Sequence, residues 1–256
     1  MRNMMAIAGK ELRSYFASPI AYIIIALFAF IFASFYYNVL VWFVERSMGM
    51  DQFGGGGDSV NVNQDLIRNV LLNATVVMLF LLPIITMRTY SEEKRSGTIE
   101  LLLTSPISDV EIILGKFFGA LGLYCVMLLV TMIYVGVLFF FGKPELKPIV
   151  SAYLGLLLVG ASFISIGLFI SSLTKNQIVA AAGTFTFVLM LWIIDWFGDQ
   201  AGPMTREIVS YLSITKHFED FAKGVIDTKH IVYYLSFITM GLFLTAKSVD
   251  SERWRG

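Results

Sequence analysis

Side chains that could carry acid–base, nucleophilic or metal chemistry are scarce in this sequence. The chain contains two histidines, His217 and His230, and one cysteine, Cys125. His217 and Asp220 have the i, i+3 spacing of two ligands on one helix face, but two ligands do not make a metal site. We therefore expect the histidines to be a solvated pair on the outer surface, and Cys125, in an apolar run, to behave as a small apolar residue. With no G-x-S-x-G hydrolase pattern in addition, the sequence predicts no catalytic residue, no metal and no enzyme.

Nucleotide binding is a further chemistry that residue spacing can test. Gly-Lys pairs occur at residues 9–10, 115–116 and 142–143, and a phosphate-binding P-loop needs another glycine five residues before the glycine of such a pair. None of the three positions is a glycine: they hold Met4, Val110 and Val137. ATP-driven work by this protein would therefore need energy delivered by another chain.

The amino-acid composition indicates the environment in which these few polar residues lie. Of the 256 residues 57% are hydrophobic and 15% charged, with a mean hydropathy of +0.74, which is more apolar than one compact core can absorb. Nineteen Lys and Arg balance nineteen Asp and Glu, so there is no basic surplus for a nucleic acid. Six apolar runs approach or exceed the length that crosses a hydrocarbon core of about 30 Å. The sequence predicts an all-α membrane protein with six transmembrane helices, over residues 20–44, 70–87, 117–141, 151–173, 178–197 and 231–246.

The distribution of positive charge predicts the orientation in the membrane. Six spans place both termini on one side of the bilayer. Eleven of the nineteen Lys and Arg residues lie on that side, close to the ends of the predicted helices. The positive-inside rule then places both termini in the cytoplasm.

Three segments outside the spans also carry a pattern. Residues 1–19 have apolar residues at helical spacing, and Pro19 favours a break, so we expect an interfacial amphipathic helix rather than an extension of the first span. Residues 198–230 indicate two short amphipathic helices, re-entrant or lying at the outer surface, with an ordinary surface subdomain as the alternative. Within residues 45–69, the four consecutive glycines 54–57 are typical of a flexible link.

Polar and small residues within the spans are few, and each has a structural and a functional interpretation. Asp195 lies near the outer end of its span between Trp192 and Trp196, which favours a hydrated interfacial carboxylate over a proton or substrate site. Small residues follow one another along the fourth span. Such residues let helix backbones approach closely, within one subunit or between two; they are Gly155, Gly160, Ser162, Ser165 and Gly167.

The most informative stretch is the predicted cytoplasmic segment 88–116. Charges crowd its start, Gly97 interrupts it, and residues 99–103 form a short apolar block that contains Glu100. Ser108 has the capping-box spacing that begins a helix, so the third helix should start there. A short amphipathic helix at 99–103 would either fold back on its own bundle or dock into the groove of another protein, and the residues alone leave both open.

Three sequences within the chain resemble known permeases. The residues EEKRSGTIELLLTSPIS at 92–108, followed by VEIILGK at 110–116, closely resemble the permease subunits of ABC-2-type transporters. SSLTKNQI at 171–178 and FAKGVIDTK at 221–229 are similar to the branch associated with bacterial gliding motility, the GldF-like permeases. The resemblance implies a multi-pass permease of the bacterial inner membrane, embedded in the lipid bilayer, that pairs with a second permease copy. A cytoplasmic ABC ATPase would dock beneath each half and hold ATP and Mg²⁺, while this chain binds no cofactor. The resemblance also leaves room for an extracytoplasmic auxiliary subunit.

The same resemblance implies which residues meet the ATPase. Residues 92–103 would be the coupling helix that enters a cleft of the ATPase, residues 172–177 a second and smaller contact, and residues 4–15 an interfacial connecting helix. The substrate-binding residues stay unassigned. The implied coupling residues are Glu92, Glu93, Arg95, Gly97, Thr98, Glu100, Leu101, Leu102, Lys175 and Asn176.

Two other classes of function compete with a permease that couples ATP hydrolysis to export or conformational work. A stand-alone secondary transporter would need ionisable residues near the bilayer midplane, and a membrane-embedded enzyme would need converging ligands or a nucleophile. The sequence has neither feature. It therefore favours an ABC-2 permease half as a transmission element without catalytic residues.

Overall fold

The computed structural model describes residues 2–48, 61–100, 106–198 and 203–253, and every regular element in these ranges is a helix. The predicted glycine link at 54–57 and the predicted coupling residues Leu101 and Leu102 lie outside the described residues. A π-helical turn, Val62–Ile67, precedes the third helix. The α-helices, numbered in chain order, are α1 Arg2–Ala17, α2 Pro19–Ser47, α3 Arg68–Thr86, α4 Arg88–Ser96, α5 Asp109–Phe141, α6 Leu146–Leu173, α7 Gln177–Gly198, α8 Pro203–Leu212, α9 Ile214–Ala222 and α10 Thr228–Arg253.

Six helical runs in the described ranges are long and apolar enough to cross a bilayer, which confirms the predicted number of spans. They are Pro19–Ser47, Val62–Ser96, Asp109–Phe141, Leu146–Leu173, Gln177–Trp196 and Thr228–Glu252. The second run is 35 residues long because the π-helical turn precedes α3 and α4 continues from it. The charged start of segment 88–116 is therefore helical and continuous with the second span. Ser108 accepts a hydrogen bond from the Glu111 backbone N–H at 3.3 Å, and α5 begins at the predicted cap.

The first helix is separate from the first span and packs against α5. Ser18 breaks the helix before Pro19, its hydroxyl accepting from the Ile20 backbone N–H at 3.4 Å, so the predicted break is confirmed. A Cβ at Gly115 would lie 2.7 Å from the Cβ of Ile7, and one at Gly119 would lie 2.6 Å from the Cβ of Glu11. These glycines allow α1 to lie directly against the first half of α5.

Helix α6 is the centre of the bundle. In its most apolar window 72% of the residues are buried, against 17% in the corresponding window of α7. A Cβ at Gly155 would lie 2.7 Å from the Cβ of Phe221 in α9, and one at Gly160 would overlap the ring of Tyr124 in α5. The small residues of the fourth span thus serve close packing within one subunit.

Two short helices, α8 and α9, connect the fifth and sixth spans, as the sequence predicts. Ser213 caps α9 by accepting from the Lys216 backbone N–H at 3.4 Å. Two tyrosines of α10 hold the pair: the Tyr233 hydroxyl donates to the Leu212 carbonyl, and the Tyr234 hydroxyl donates to the Ile214 carbonyl, both at 2.8 Å. We call this end of the bundle the opposite end, and the end that carries α1, α4 and the last turns of α10 the terminal end.

Candidate functional site

A buried lysine joins three helices at the terminal end. Lys116 of α5 is 2% exposed. Its Nζ lies 2.7 Å from Glu93 Oε1 of α4, 3.2 Å from Glu11 Oε1 of α1 and 3.0 Å from the Thr89 carbonyl oxygen of α4. The Tyr90 ring centroid lies 5.1 Å from the same nitrogen. We call the group formed by Lys116, Glu11, Glu93 and Thr89 the Lys116 junction.

The junction satisfies the bonding capacity of an ammonium group that would otherwise be costly to bury. Lys116 has three N–H donors and meets three oxygen acceptors. Burying an ammonium is strongly unfavourable unless opposite charge and hydrogen bonds compensate for lost hydration. The two carboxylates, in turn, sit close to each other only because the lysine lies between them. A polar cleft of about 150 Å³ runs past them, lined by Lys10, Glu11, Ser14, Tyr15, Arg88, Thr89, Glu92 and Glu93.

Helix α4 is also fixed to the sixth span and to the central helix. Lys94 Nζ lies 2.7 Å from Glu252 Oε1 of α10, and the lysine side chain is 4% exposed. The Ser171 hydroxyl of α6 accepts from the backbone N–H groups of Tyr90 and Ser91 at 3.1 and 3.2 Å, and donates to the Met87 carbonyl at 2.9 Å. Helix α4 therefore has direct polar connections to α5, α6 and α10, and Lys116 of α5 connects it to α1.

The predicted coupling residues in α4 divide into an outward and an inward group. Glu92 and Arg95 are exposed, and Glu92 Oε2 lies 3.4 Å from Arg88 Nε one turn earlier. Glu93 points inward to Lys116. Of these three residues, Glu92 and Arg95 are therefore accessible at the surface, while Glu93 bonds to the buried Lys116.

Gly97 ends helix α4 within the predicted coupling segment 92–103. Its φ is +73°, which is left-handed, and nothing lies within 4 Å of a Cβ built there, so the backbone angle alone explains the glycine. Thr98 Oγ1 donates to the Glu93 carbonyl at 3.5 Å and lies 2.9 Å from Ser96 Oγ. Helical backbone resumes at Ile99 and at the exposed Glu100, the last described residues before residue 106.

The second predicted contact lies in the turn between α6 and α7. Lys175 and Asn176 are both exposed. Asn176 Oδ1 accepts from the Ile178 backbone N–H at 2.9 Å and thereby caps α7. Because Ser171, one turn earlier, is bonded to α4, this turn lies at the terminal end. The predicted coupling residues that are exposed thus share one end of the bundle. We call them the terminal-end surface: Glu92, Arg95, Gly97, Thr98, Glu100, Lys175 and Asn176.

Sequence reasoning missed the residues that hold this surface. Neither Lys116 nor its partner Glu11 was predicted to have a role, and the same is true of Lys94 and Glu252. The available signal was a lysine about two turns into an apolar helix, because such a charge needs a partner. The identity of the partners could not be predicted, since Glu11 lies 105 residues before Lys116 and the direction of the chain between α4 and α5 does not follow from the sequence.

The prediction of a solvated histidine pair is wrong. His217 and His230 are only 4% and 5% exposed, and the His217 ring stacks on Tyr233 of α10 with the ring centroids 3.8 Å apart. No group of three His, Cys, Asp or Glu residues able to hold a metal occurs in the ranges that the structure describes.

Asp195, expected as a hydrated carboxylate, is paired. Its Oδ2 lies 3.1 Å from Lys216 Nζ of α9, and its side chain is one-fifth exposed. The pair connects the end of the fifth span to α9. Asp195 is therefore placed at the edge of the bundle, as its neighbours Trp192 and Trp196 predict.

Comparison with known proteins agrees with this architecture. A family model described as ABC-2 family transporter protein matches residues 5–247. The chain is also 24% identical over 144 residues to the probable multidrug ABC transporter permease YbhR of Escherichia coli strain K12 and of Escherichia coli O157:H7. That match covers 56% of this chain and 39% of the length of each relative. Because the family model extends from α1 into the last turns of α10, the chain belongs to the ABC-2 family of transporter proteins.

Proposed function

We propose that this chain is the transmembrane permease subunit of an ABC-2-type transporter, and that a separate cytoplasmic ATPase drives it through the terminal-end surface. Both termini then lie in the cytoplasm. The observation that carries the proposal is the Lys116 junction, because it fixes to α1 and α5 the helix that bears the exposed Glu92 and Arg95. In this arrangement the ATPase holds ATP and Mg²⁺, and this chain transmits the movement.

The connections of α4 suggest how the movement spreads. Helix α4 continues from α3 within one helical run, so a displacement at Arg95 moves the second span directly. The Lys116 junction passes the displacement to α1 and α5, and the Lys94–Glu252 pair passes it to α10. Rigid helices that shift as units are a common basis of such switching. The continuous helix that carries this displacement ends at Gly97.

The remaining parts of the proposal concern assembly and cargo. A second permease copy, or a homologous permease, completes the transporter in the bacterial inner membrane, and an extracytoplasmic auxiliary subunit is compatible with it. The name of the Escherichia coli relatives favours export of small molecules as one role. The resemblance to gliding-motility permeases favours conformational work as the other. The export role predicts that ATP turnover responds to added cargo.

Capture of the ATPase tests the proposal. The full-length permease is expressed in a bacterial host together with an ABC ATPase encoded beside it, purified in mild detergent, and its partners are identified by mass spectrometry. Arg95→Glu combined with Lys175→Glu reverses two exposed charges at the terminal-end surface. We expect ATPase capture to fall at least about tenfold, which corresponds to about 1.4 kcal/mol.

The matched control is Lys143→Glu, which reverses one exposed lysine at the opposite end. We expect this variant to capture the ATPase like the wild type. Equal capture by the double variant and the wild type would refute docking at the terminal-end surface. Recovery of the permease without any P-loop protein would refute the proposed subunit arrangement itself.

A further inference from the structure

The two histidines form a continuous hydrogen-bonded chain across the opposite end of the bundle. His217 Nε2 of α9 lies 2.9 Å from the Tyr211 carbonyl oxygen of α8. The two Nδ1 atoms of His217 and His230 are 2.6 Å apart, and His230 Nε2 of α10 lies 2.9 Å from Asp220 Oδ2 of α9. These hydrogen bonds therefore join α8, α9 and α10 through two buried imidazole rings.

The number of protons on the two imidazole rings follows from their hydrogen-bond partners. A backbone carbonyl only accepts hydrogen bonds, so His217 Nε2 must carry a proton. Asp220 is ionised: burial opposes its charge, but hydrogen bonds from Lys223 and His230 hold its pKa below the ordinary range. An ionised carboxylate also only accepts, so His230 Nε2 must carry a proton. The short contact between the Nδ1 atoms needs one proton between them.

Three protons on four ring nitrogens make one imidazolium and one neutral imidazole. The positive charge of the imidazolium faces Asp220, so the two buried rings do not carry an uncompensated charge. A fourth proton would set two N–H groups against each other across 2.6 Å. Removal of the shared proton would instead set two lone pairs against each other. The contact between α9 and α10 is therefore compatible with one protonation state of the pair.

Asp220 is shared with one other cation, because Lys223 Nζ lies 3.2 Å from its Oδ1, while His230 bonds to its Oδ2. The remaining charged neighbours include two ion pairs that do not involve Asp220. Lys216 pairs with Asp195 at 3.1 Å, and Asp227 pairs with Lys229 at 3.1 Å. The charged residues of α5, which also packs against α10, lie at the terminal end. The titratable and charged groups on the elements packed against the pair are Arg68 of α3, Lys147 and Tyr153 of α6, Asp195 of α7, Arg206, Glu207 and Tyr211 of α8, Lys216, Glu219, Asp220 and Lys223 of α9, and Lys229, Tyr233 and Tyr234 of α10 with Asp227 before it.

We propose that His217, His230 and Asp220 form a proton-binding site, in which one shared proton fastens the outer helix pair α8–α9 to the sixth span. Binding of a second proton to the neutral ring releases the contact. This assignment goes beyond the ATPase-coupled function and does not depend on it, because it concerns the opposite end and needs no partner. In the orientation proposed above, the site faces the extracytoplasmic side.

The direction of the pH effect follows from the pKa of His217, the ring that does not face Asp220 and is therefore the neutral one. Burial disfavours its charged form and lowers its pKa below that of a free histidine. The contribution of neutral His217 to the contact between α9 and α10 is therefore fully present above the ordinary histidine pKa of about 6.5. It is lost as the pH falls through the lowered pKa. We expect α8 and α9 to loosen from α10 in acid.

Nuclear magnetic resonance can observe the site directly because the chain contains two histidines. The full-length protein is labelled with ¹⁵N-histidine, purified with a histidine-free tag and placed in lipid nanodiscs. At pH 7 we expect one doubly protonated ring, one neutral ring protonated at Nε2, and a coupling between the two Nδ1 nuclei. Two neutral rings without that coupling would overturn the proposal, and the wild type alone suffices for this result.

Two variants and one exchange measurement complete the test. Asp220→Asn removes the counter-charge, and we expect it to abolish the imidazolium signal at pH 7. Asp227→Asn changes a partly exposed acid that pairs with Lys229, and should leave both ring signals unchanged. Amide hydrogen exchange in α8 and α9, corrected for intrinsic rates, should accelerate at least about tenfold between pH 7 and pH 5. Unchanged protection would refute the release of the helix pair, and an unchanged imidazolium in Asp220→Asn would refute the role of Asp220.

Discussion

Replacement of Lys116 by methionine tests whether the Lys116 junction holds the terminal end together. The variant keeps an unbranched apolar side chain in the buried position but removes the ammonium group. Glu93 and Glu11, 2.7 and 3.2 Å from the lysine nitrogen in the native protein, would then lack the buried cation between them. The variant loses the ion pairs and the hydrogen bonds that the ammonium makes with both carboxylates. In addition, the two carboxylates repel each other because they carry the same charge.

The expected magnitude follows from the exposure of the partners. Breaking a buried ion pair by removing one member costs about 3–5 kcal/mol. The Glu11 and Glu93 side chains are 15% and 18% exposed, so water relieves part of the repulsion. We therefore expect about 3 kcal/mol, the lower end of that range, which is roughly a 150-fold change in the unfolding equilibrium constant.

The assay is reversible unfolding of the full-length permease in mixed micelles, followed by circular dichroism. Lys10→Met is the matched control because Lys10 also lies beside Glu11, at 3.9 Å, but its side chain is 67% exposed. An exposed pair of this kind contributes about 0–1 kcal/mol. Adding Glu11→Gln and Glu93→Gln to Lys116→Met removes the repulsion and should restore more than half of the lost stability. Equal stability of Lys116→Met and Lys10→Met would refute the reasoning.

Two further predictions concern glycines. Gly160→Val should lower the free energy of unfolding by about 1–3 kcal/mol because its side chain would overlap the Tyr124 ring; Gly136→Val, where nothing lies within 4 Å of a Cβ, is the control, and equal losses in the same unfolding assay would contradict the close-packing argument. Gly97→Ala should cost about 1 kcal/mol for the left-handed backbone angle and should reduce ATP turnover in the purified permease–ATPase complex while the complex still assembles. Wild-type turnover would show that the turn at Gly97 is not needed for coupling.

Features that depend on local sequence could be predicted, and those that depend on distant partners could not. The six spans follow from apolar runs, the end of α1 from Pro19, and the start of α5 from Ser108 and Glu111. Each of these signals lies within a few residues of the feature it specifies. The Lys116 junction needs side chains from three helices, and no spacing along the chain shows that Glu11 and Glu93 meet.

The histidines show how a local signal can mislead. Lys216, Glu219 and Asp220 surround His217 in the sequence and indicate a solvated face. The burial comes instead from Tyr233 of α10, which stacks on the His217 ring. The proton arrangement that results could not be foreseen, because it depends on which atoms of two distant imidazoles face each other.

The terminal-end surface likewise combines predicted and unpredicted features. The resemblance indicated Glu92, Glu93 and Arg95 together as coupling residues. The backbone of α4 separates them, since residues one apart on a helix point in different directions. Glu93 therefore faces Lys116, whereas Glu92 and Arg95 stay exposed.

Site-specific cross-linking tests the central claim most directly, namely that an ATPase meets this chain at the terminal-end surface. Cys125 is the single native cysteine, so Cys125→Ser provides a background in which Arg95→Cys, Lys175→Cys or Lys143→Cys carries a photo-activated reagent. In membranes that contain the co-expressed ATPase, we predict cross-linked peptides of the P-loop protein from Arg95→Cys and Lys175→Cys but not from Lys143→Cys. Cross-links to that protein from Lys143→Cys alone, or from none of the three variants, would contradict the account.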